Sequence, residues 1–203
     1  MCDDARMAEP ARKLTHTFAE YLALETASDL KHEYVNGEIF AMAGGTIEHG
    51  ALAANVIGEL RGMLRGRPCR VLTSDVRVRV LATGLAAYPD VSVVCGAIEH
   101  DPEDANTVVN PVLIVEVLSD STTSYDRGAK AAHYRRIPSL RDYLLVAQHE
   151  PLVEHYCRND DGSWTLRDVR PPGVVQLSIG CELSVAEVYF DPLAAPIGAP
   201  GDG

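Results

Sequence analysis

No apolar run in this 203-residue chain approaches the roughly 20 residues that a bilayer-spanning helix needs, so a membrane protein is not expected. The first residues, MCDDARMAEPARK, hold no apolar h-region, and an export signal is not expected either. Cysteine is sparse and scattered. Cys2, Cys69, Cys95, Cys157 and Cys181 are odd in number and never form a CxxC, which argues against a disulfide framework or a zinc cage and suits a reducing cytoplasm. Positive charge is also short: 18 Lys and Arg stand against 29 Asp and Glu, a formal net charge of −11. Stable duplex-DNA binders draw much of their affinity from neutralising phosphates, so a long-lived nucleic-acid complex is disfavoured. Transient binding through a metal ion or a local basic patch is not excluded. Two such clusters exist, Arg61, Arg65, Arg67 and Arg70, then Arg127, Lys130, Arg135 and Arg136, and their plain reading is as solvated helix faces and ends. Internal repeats, low-complexity blocks and sequence-reading modules such as a helix-turn-helix or zinc finger are missing as well.

What remains is an ordinary globular composition, 46% hydrophobic and 23% charged, long enough for one well-buried core. Residues 1–14 and 192–203 read as flexible tails around a single domain, 15–191. TFAEYLALETA is a short amphipathic helix. EYVNGEIFAM is a hairpin with Asn36-Gly37 as a type I′ turn. Thr46 caps a long helix whose Ile47, Leu52, Val56, Ile57, Leu60 and Leu64 recur at three- and four-residue steps. CRVLT and VRVRV read as a half-exposed antiparallel pair, followed by YPDVSVV and by IEHDPEDANT, a loop too acidic for a core. Residues 125–136 are helical up to Pro138, DYLLVA is a strand, and LVEHYC, SWTLRDV and VVQLS form C-terminal hairpins before a last helical turn near SVAEVY. This order predicts an α/β (α+β) fold with a mixed central sheet flanked by helices.

One residue stands out. NPVLIVEVLSDST is apolar on both parities, as in a strand covered on both faces, yet Glu116 lies inside it. An ionised carboxylate buried without a partner costs several kcal/mol, roughly, even after relaxation. A salt bridge to an arginine would satisfy it. So would a cation shared with a second carboxylate, and Asp90, at the start of the preceding strand in AYPDVSVV, is placed to converge on it. Two like charges so close disfavour joint ionisation unless a cation lies between them. A hard divalent cation accepts carboxylates, waters and phosphate oxygens together.

A strand bearing Pro-Asp, a loop, an apolar strand bearing a carboxylate and then a helix resembles the PD-(D/E)XK nuclease superfamily with its αβββαβ core. YPDVSVV, NPVLIVEVLSDST, YDRGAKAAHYRRIPSLRDYLLV and EYVNGEIFAM together look like a bacterial restriction-endonuclease-like branch of unknown role, over roughly residues 17–190. The resemblance implies a restriction-endonuclease-like core, Asp90 and Glu116 as ligands of Mg²⁺ or Mn²⁺, and metal-assisted hydrolysis of DNA phosphodiesters. The superfamily lysine, two residues after the second acidic residue, is here Leu118. The matching residue in this branch is Lys130 on the next helix, which would orient the attacking water or stabilise the transition state. His49 and Glu38 are secondary candidates for the site, and Asp126, Tyr134 and Arg135 lie on the Lys130 helix. A homodimer is expected from the need of duplex cleavage for two active sites. Alternatives are a catalytically silent nuclease-fold binding module and a hydrolase for a small phosphate ester.

Overall fold

The computed structural model describes residues 15–42 and 44–194; the tails expected at 1–14 and 192–203 lie outside the described residues except for 192–194. At its centre is a six-stranded sheet in the order β11-β10-β9-β8-β6-β3. Its strands are β3 (Cys69–Thr73), β6 (Val91–Cys95), β8 (Leu113–Val117), β9 (Asp142–Val146), β10 (Val153–Arg158) and β11 (Trp164–Val169). Neighbours are antiparallel except β8 and β9, which run parallel with Glu116 beside Leu145. Parallel neighbours need a long crossover. Here it is a helical stretch made of α3 (Thr123–Tyr125), a π-helical turn (Asp126–Lys130) and α4 (Ala131–Tyr134).

Two helical layers cover the sheet. α2 (Ile47–Met63) starts where the Thr46 hydroxyl accepts from the His49 N–H at 3.1 Å. Its Leu52, Val56 and Leu60 pack with Val91, Val93, Leu113, Val115 and Val117 on one face. On the other face Ile114, Leu118, Tyr143 and Leu145 pack against Ala131, Tyr134, Ile137 and Leu140. Leu60 is fully buried, and truncating such a leucine to alanine costs about 2–5 kcal/mol. Because side chains alternate along a strand, β8 directs Val115 and Val117 to α2 and Ile114 and Glu116 to the crossover helix.

A second sheet, in the order β2-β1-β5-β4-β7, holds β1 (His32–Val35), β2 (Glu38–Ala41), β4 (Arg77–Arg79), β5 (Ala86–Ala87) and β7 (Thr107–Val108). Asn36 and Gly37 both have positive φ, 51° and 86°, as the Asn-Gly hairpin turn requires. α1 (Phe18–Ala27) closes this sheet, setting Phe18 edge-on and Tyr21 stacked against Tyr34. A third sheet pairs β12 (Val174–Leu177) with β13 (Cys181–Ser184), and α5 (Val185–Val188) follows.

Three expectations need correction. CRVLT and VRVRV do not pair. β3 joins β6 in the central sheet, whereas β4 joins β5 and β7 in the second. The acidic loop is not wholly outside the core: Asp101 is buried against Arg79, and Asp104 accepts from Arg77 at 3.1 Å. The alternating arginines of β4 thus neutralise the acidic loop, while Val78 and Val80 enter the core. A disulfide also forms. The β3–β6 register sets Cys69 opposite Cys95, and the two are bonded.

Candidate active site

Asp90 and Glu116 come together through strand register. Ser92 pairs with Ile114 and Val91 with Val115, so one step further along this antiparallel pair Asp90 lies opposite Glu116 on the same face. Asp90 Oδ2 accepts from the Val117 backbone N–H at 2.7 Å, and His49 Nε2 from the first turn of α2 lies 3.2 Å away. The capped start of α2 therefore brings His49 to the end of β6.

Lys130 enters from the other side. It closes the π-helical turn, a geometry often found at functional sites. Its Nζ lies 2.9 Å from Glu116 Oε1, 2.8 Å from Glu33 Oε1 and 3.5 Å from Asp126 Oδ1. Tyr134 donates its hydroxyl to the same Glu116 oxygen at 2.9 Å. The pocket is nearly closed. Side-chain exposure is 6% for both Lys130 and Glu116 and rises to 16% for Asp90 and 21% for His49, so the Asp90–His49 rim is its most accessible part.

Burial controls the electrostatics. It pushes the Glu116 carboxyl up to about 8; Lys130 opposes this, and the charges of Asp90 and Asp126 add to it. Burial likewise raises Asp126, against the pull of Lys130. For Lys130 burial acts downward, but Glu116, Tyr134, Glu33 and Asp126 hold the ammonium well above its ordinary value. The hydrogen bond to Asp90 raises His49, against its own partial burial. Three carboxyl groups thus converge on one buried amine, and Asp126 Oδ1 has no hydrogen-bond donor.

Of the five residues singled out in the sequence, Asp90, Glu116, Lys130 and His49 meet here. Glu38 faces the same side of the β1–β2 hairpin as Glu33, opposite Val35, but the carboxylate in contact with Lys130 is Glu33. Sequence reasoning passed over Glu33. Its only local signal is an acidic residue on the half-buried face of a strand. Of the other residues on the Lys130 helix, Asp126 and Tyr134 join the cluster, while Arg135 turns back to the Ala131 carbonyl at 3.3 Å.

A second group was also missed. Asp142, His155 and Cys157 bring one ligand atom each within 4.8 Å of one another, a candidate metal-coordinating cluster. It lies on the α2 face of the sheet, at the start of β9 and away from Glu116. A carboxylate, an imidazole and a thiol suit a borderline metal such as zinc better than Mg²⁺. Both Asp142 oxygens already accept hydrogen bonds, Oδ1 with His155 Nε2 at 2.8 Å and Oδ2 from the Ser178 N–H at 2.9 Å. The signal in the sequence was His155 and Cys157 two apart on one strand face.

A mixed sheet between α2 and a crossover helix, with an acidic pair at the end of two adjacent strands, defines a restriction-endonuclease-like fold of the PD-(D/E)XK type. The chain belongs to the Uma2 family, described as "Putative restriction endonuclease", whose profile matches residues 18–186. It is 37% identical over 174 residues to the uncharacterized protein slr1290 of Synechocystis, covering 84% of this chain and 89% of that one. It is 35% identical over 153 residues to sll1609 of the same organism, covering 75% and 86%. A crystal structure from Anabaena variabilis, described as "a putative nuclease belonging to DUF820", superposes with a TM-score of 0.66 over 80% of this chain and 91% of that one. At 17% identity, that likeness speaks for the fold.

Proposed function

We propose that the protein is a divalent-metal-dependent endonuclease that hydrolyses phosphodiester bonds of DNA. The observation that carries this reading is the placing of Asp90 opposite Glu116 at one end of β6 and β8, with the Lys130 amine held against Glu116 and Glu33. The residues suit Mg²⁺ or Mn²⁺: the donors are carboxylate oxygens, they outnumber the amine, and burial together with the charges of Asp90 and Asp126 holds Glu116 near 8. Further positive charge is what such a cluster lacks. Asp90 and Glu116 would hold the ion, with Glu33 beside them. When bound, a divalent ion lowers the pKa of a water and polarises a phosphoryl oxygen.

The chain's own residues do the rest. Lys130 stays protonated through neutral pH, so it acts as a fixed positive charge for the negative charge that grows on the phosphoryl oxygens. Glu33, Asp126 and Tyr134 position it and Glu116. His49 and the Val117 N–H orient the Asp90 carboxylate toward the pocket. A homodimer, offering one such site for each strand, is the proposed assembly.

Supercoiled plasmid incubated with Mg²⁺ or Mn²⁺ tests the reading against Asp90→Ala and Lys130→Ala. Cleavage by wild type alone supports it, with calorimetry showing metal bound by Lys130→Ala and not by Asp90→Ala. Cleavage that persists in both variants refutes it. The net charge of −11 favours one other reading, a catalytically silent binding module, which metal binding without cleavage would support.

A further inference from the structure

We propose that the C-terminal end of α2 and the start of β3 form a docking surface for the sugar–phosphate backbone of the DNA substrate, at a distance from the carboxylate pocket. The proposal rests on the endonuclease reading above and adds to it the path that the substrate takes. Its first support is uncompensated charge. In the second basic cluster Arg127 is paired with Glu154, Lys130 is buried in the pocket and Arg135 bonds a carbonyl, which leaves Arg136 as its one exposed arginine that meets no carboxylate among the described residues. In the first cluster only Arg67 is engaged, holding the Gly180 and Ile179 carbonyls of the β12–β13 turn. Arg61, Arg65 and Arg70 are exposed and meet no carboxylate among the described residues. Arg61 lies in the last turn of α2 and Arg65 just past its C-cap, so like charges gather at one helix end. The helix dipole rationalises one cation at this end, not three.

The second support is shape. These three arginines line a hollow of about 700 Å³ together with Gly58, Gly62 and Gly66. Gly58 and Gly62 lie inside α2, where glycine weakens a helix relative to alanine. A Cβ at either would meet nothing within 4 Å, so no internal packing demands them. They leave the helix backbone open to close approach from outside. A neighbouring hollow of about 540 Å³ continues past Arg70 to Gly96 and His100. The two hollows share Arg67, Cys69 and Arg70 and together offer more room than a single phosphate fills.

The third support is alignment with the pocket. His49 in the first turn of α2 touches Asp90, and Arg61 in its last turn follows 12 residues later. At about 1.5 Å per residue that is about 18 Å along the axis, or about five base-pair steps of 3.4 Å. The exposed positions between them, Gly50, Ala54 and Gly58, carry no long side chain. The exposed face of α2 that carries Arg61 thus runs unobstructed toward the helix end that holds His49. A two-fold contact between copies would instead set these arginines against their own counterparts, which like charges oppose.

Fluorescence anisotropy with a labelled 20-base-pair duplex tests the surface. The proteins are wild type, R61E/R65E, Gly62→Leu, and R141E/R167E as a charge-matched control at two exposed arginines elsewhere. R61E/R65E should weaken binding about tenfold or more at low salt and make the slope of log K against log salt shallower by about two. Gly62→Leu should weaken binding without lowering the melting temperature, and the control should change affinity less than about twofold. Equal weakening by R61E/R65E and the control overturns the proposal, as does wild type that binds no duplex. Unchanged affinity with a dimer converted to monomer in sedimentation also overturns it and assigns the groove to a second copy. Hydrolysis of bis-p-nitrophenyl phosphate by wild type and its loss in Lys130→Ala judge the phosphodiesterase chemistry separately, so the two failures are distinguishable.

Discussion

Replacing Glu116 by glutamine preserves the shape of the side chain and an acceptor oxygen for Tyr134 and Lys130 while removing the charge. Burial, with Asp90 and Asp126 nearby, lifts this carboxyl from its ordinary 4.5 to about 8. Between those two pH values the native protein holds a proton that the unfolded chain has released. Native stability therefore falls as pH rises through this window, and the penalty is absent below the lower value. Linkage sets the slope at about 1.4 kcal/mol per pH unit, hence about 3 kcal/mol at pH 7 and nearly 5 above pH 8. Glutamine does not titrate. Its amide adds a constant difference from burying an extra donor, but only the wild type carries the slope. Urea unfolding of both proteins in EDTA at pH 5, 6, 7 and 8 should show the variant gaining on wild type by about 1 kcal/mol per pH unit. Adding Mg²⁺ should shrink the gap by stabilising wild type alone, because a cation bound at the pocket favours the ionised carboxylate. A stability difference that stays flat with pH, or falls, would show that Glu116 does not titrate as a buried group and would refute the reasoning.

Two further outcomes follow from the same cluster. Lys130→Met removes the amine that Glu33, Glu116 and Asp126 share; denaturation at pH 8 should show a loss of about 3 kcal/mol or more, and a smaller loss at pH 5, where the carboxyls can hold protons. For His49 the slope has the same sign, but what pH removes is a stabilising contact: Asp90 raises its folded pKa, so the pair's contribution is full below the ordinary histidine value of 6.5 and fades as pH rises through the higher folded value. His49→Gln should accordingly lower the melting temperature more at pH 5.5 than at pH 8.5, and equal effects at the two would count against the pairing.

Much of the site was readable from local pattern. Glu116 announced itself because a carboxylate in an unbroken apolar strand is expensive, and Asp90 because it opens the neighbouring strand. Neighbouring strands that return on each other bring such positions together whenever the register fits, and here Ser92 opposite Ile114 makes it fit. Glu33 was not readable in this way. Both it and Glu38 are acidic residues on one face of the same hairpin. Which one meets the amine depends on how a separate sheet packs against β8, and no local periodicity encodes that. VRVRV failed for a similar reason: alternation marks a two-faced strand but not the sheet it joins, and its arginines found partners some 25 residues away in the acidic loop. Cys69 and Cys95 look unrelated in sequence, since their pairing is a consequence of β3–β6 register.

Taken alone, the order of residues determined what short-range chemistry can enforce: the Asn36-Gly37 turn, the Thr46-capped helix, the strands, and a buried acid in need of compensating charge. Only the packed chain decided what answers that charge, because the amine of Lys130, the carboxylates of Glu33 and Asp126 and the hydroxyl of Tyr134 arrive from elements that meet only when two sheets and a crossover helix close on one another. Long-range electrostatics of this kind is a property of the assembled core, not of any segment within it.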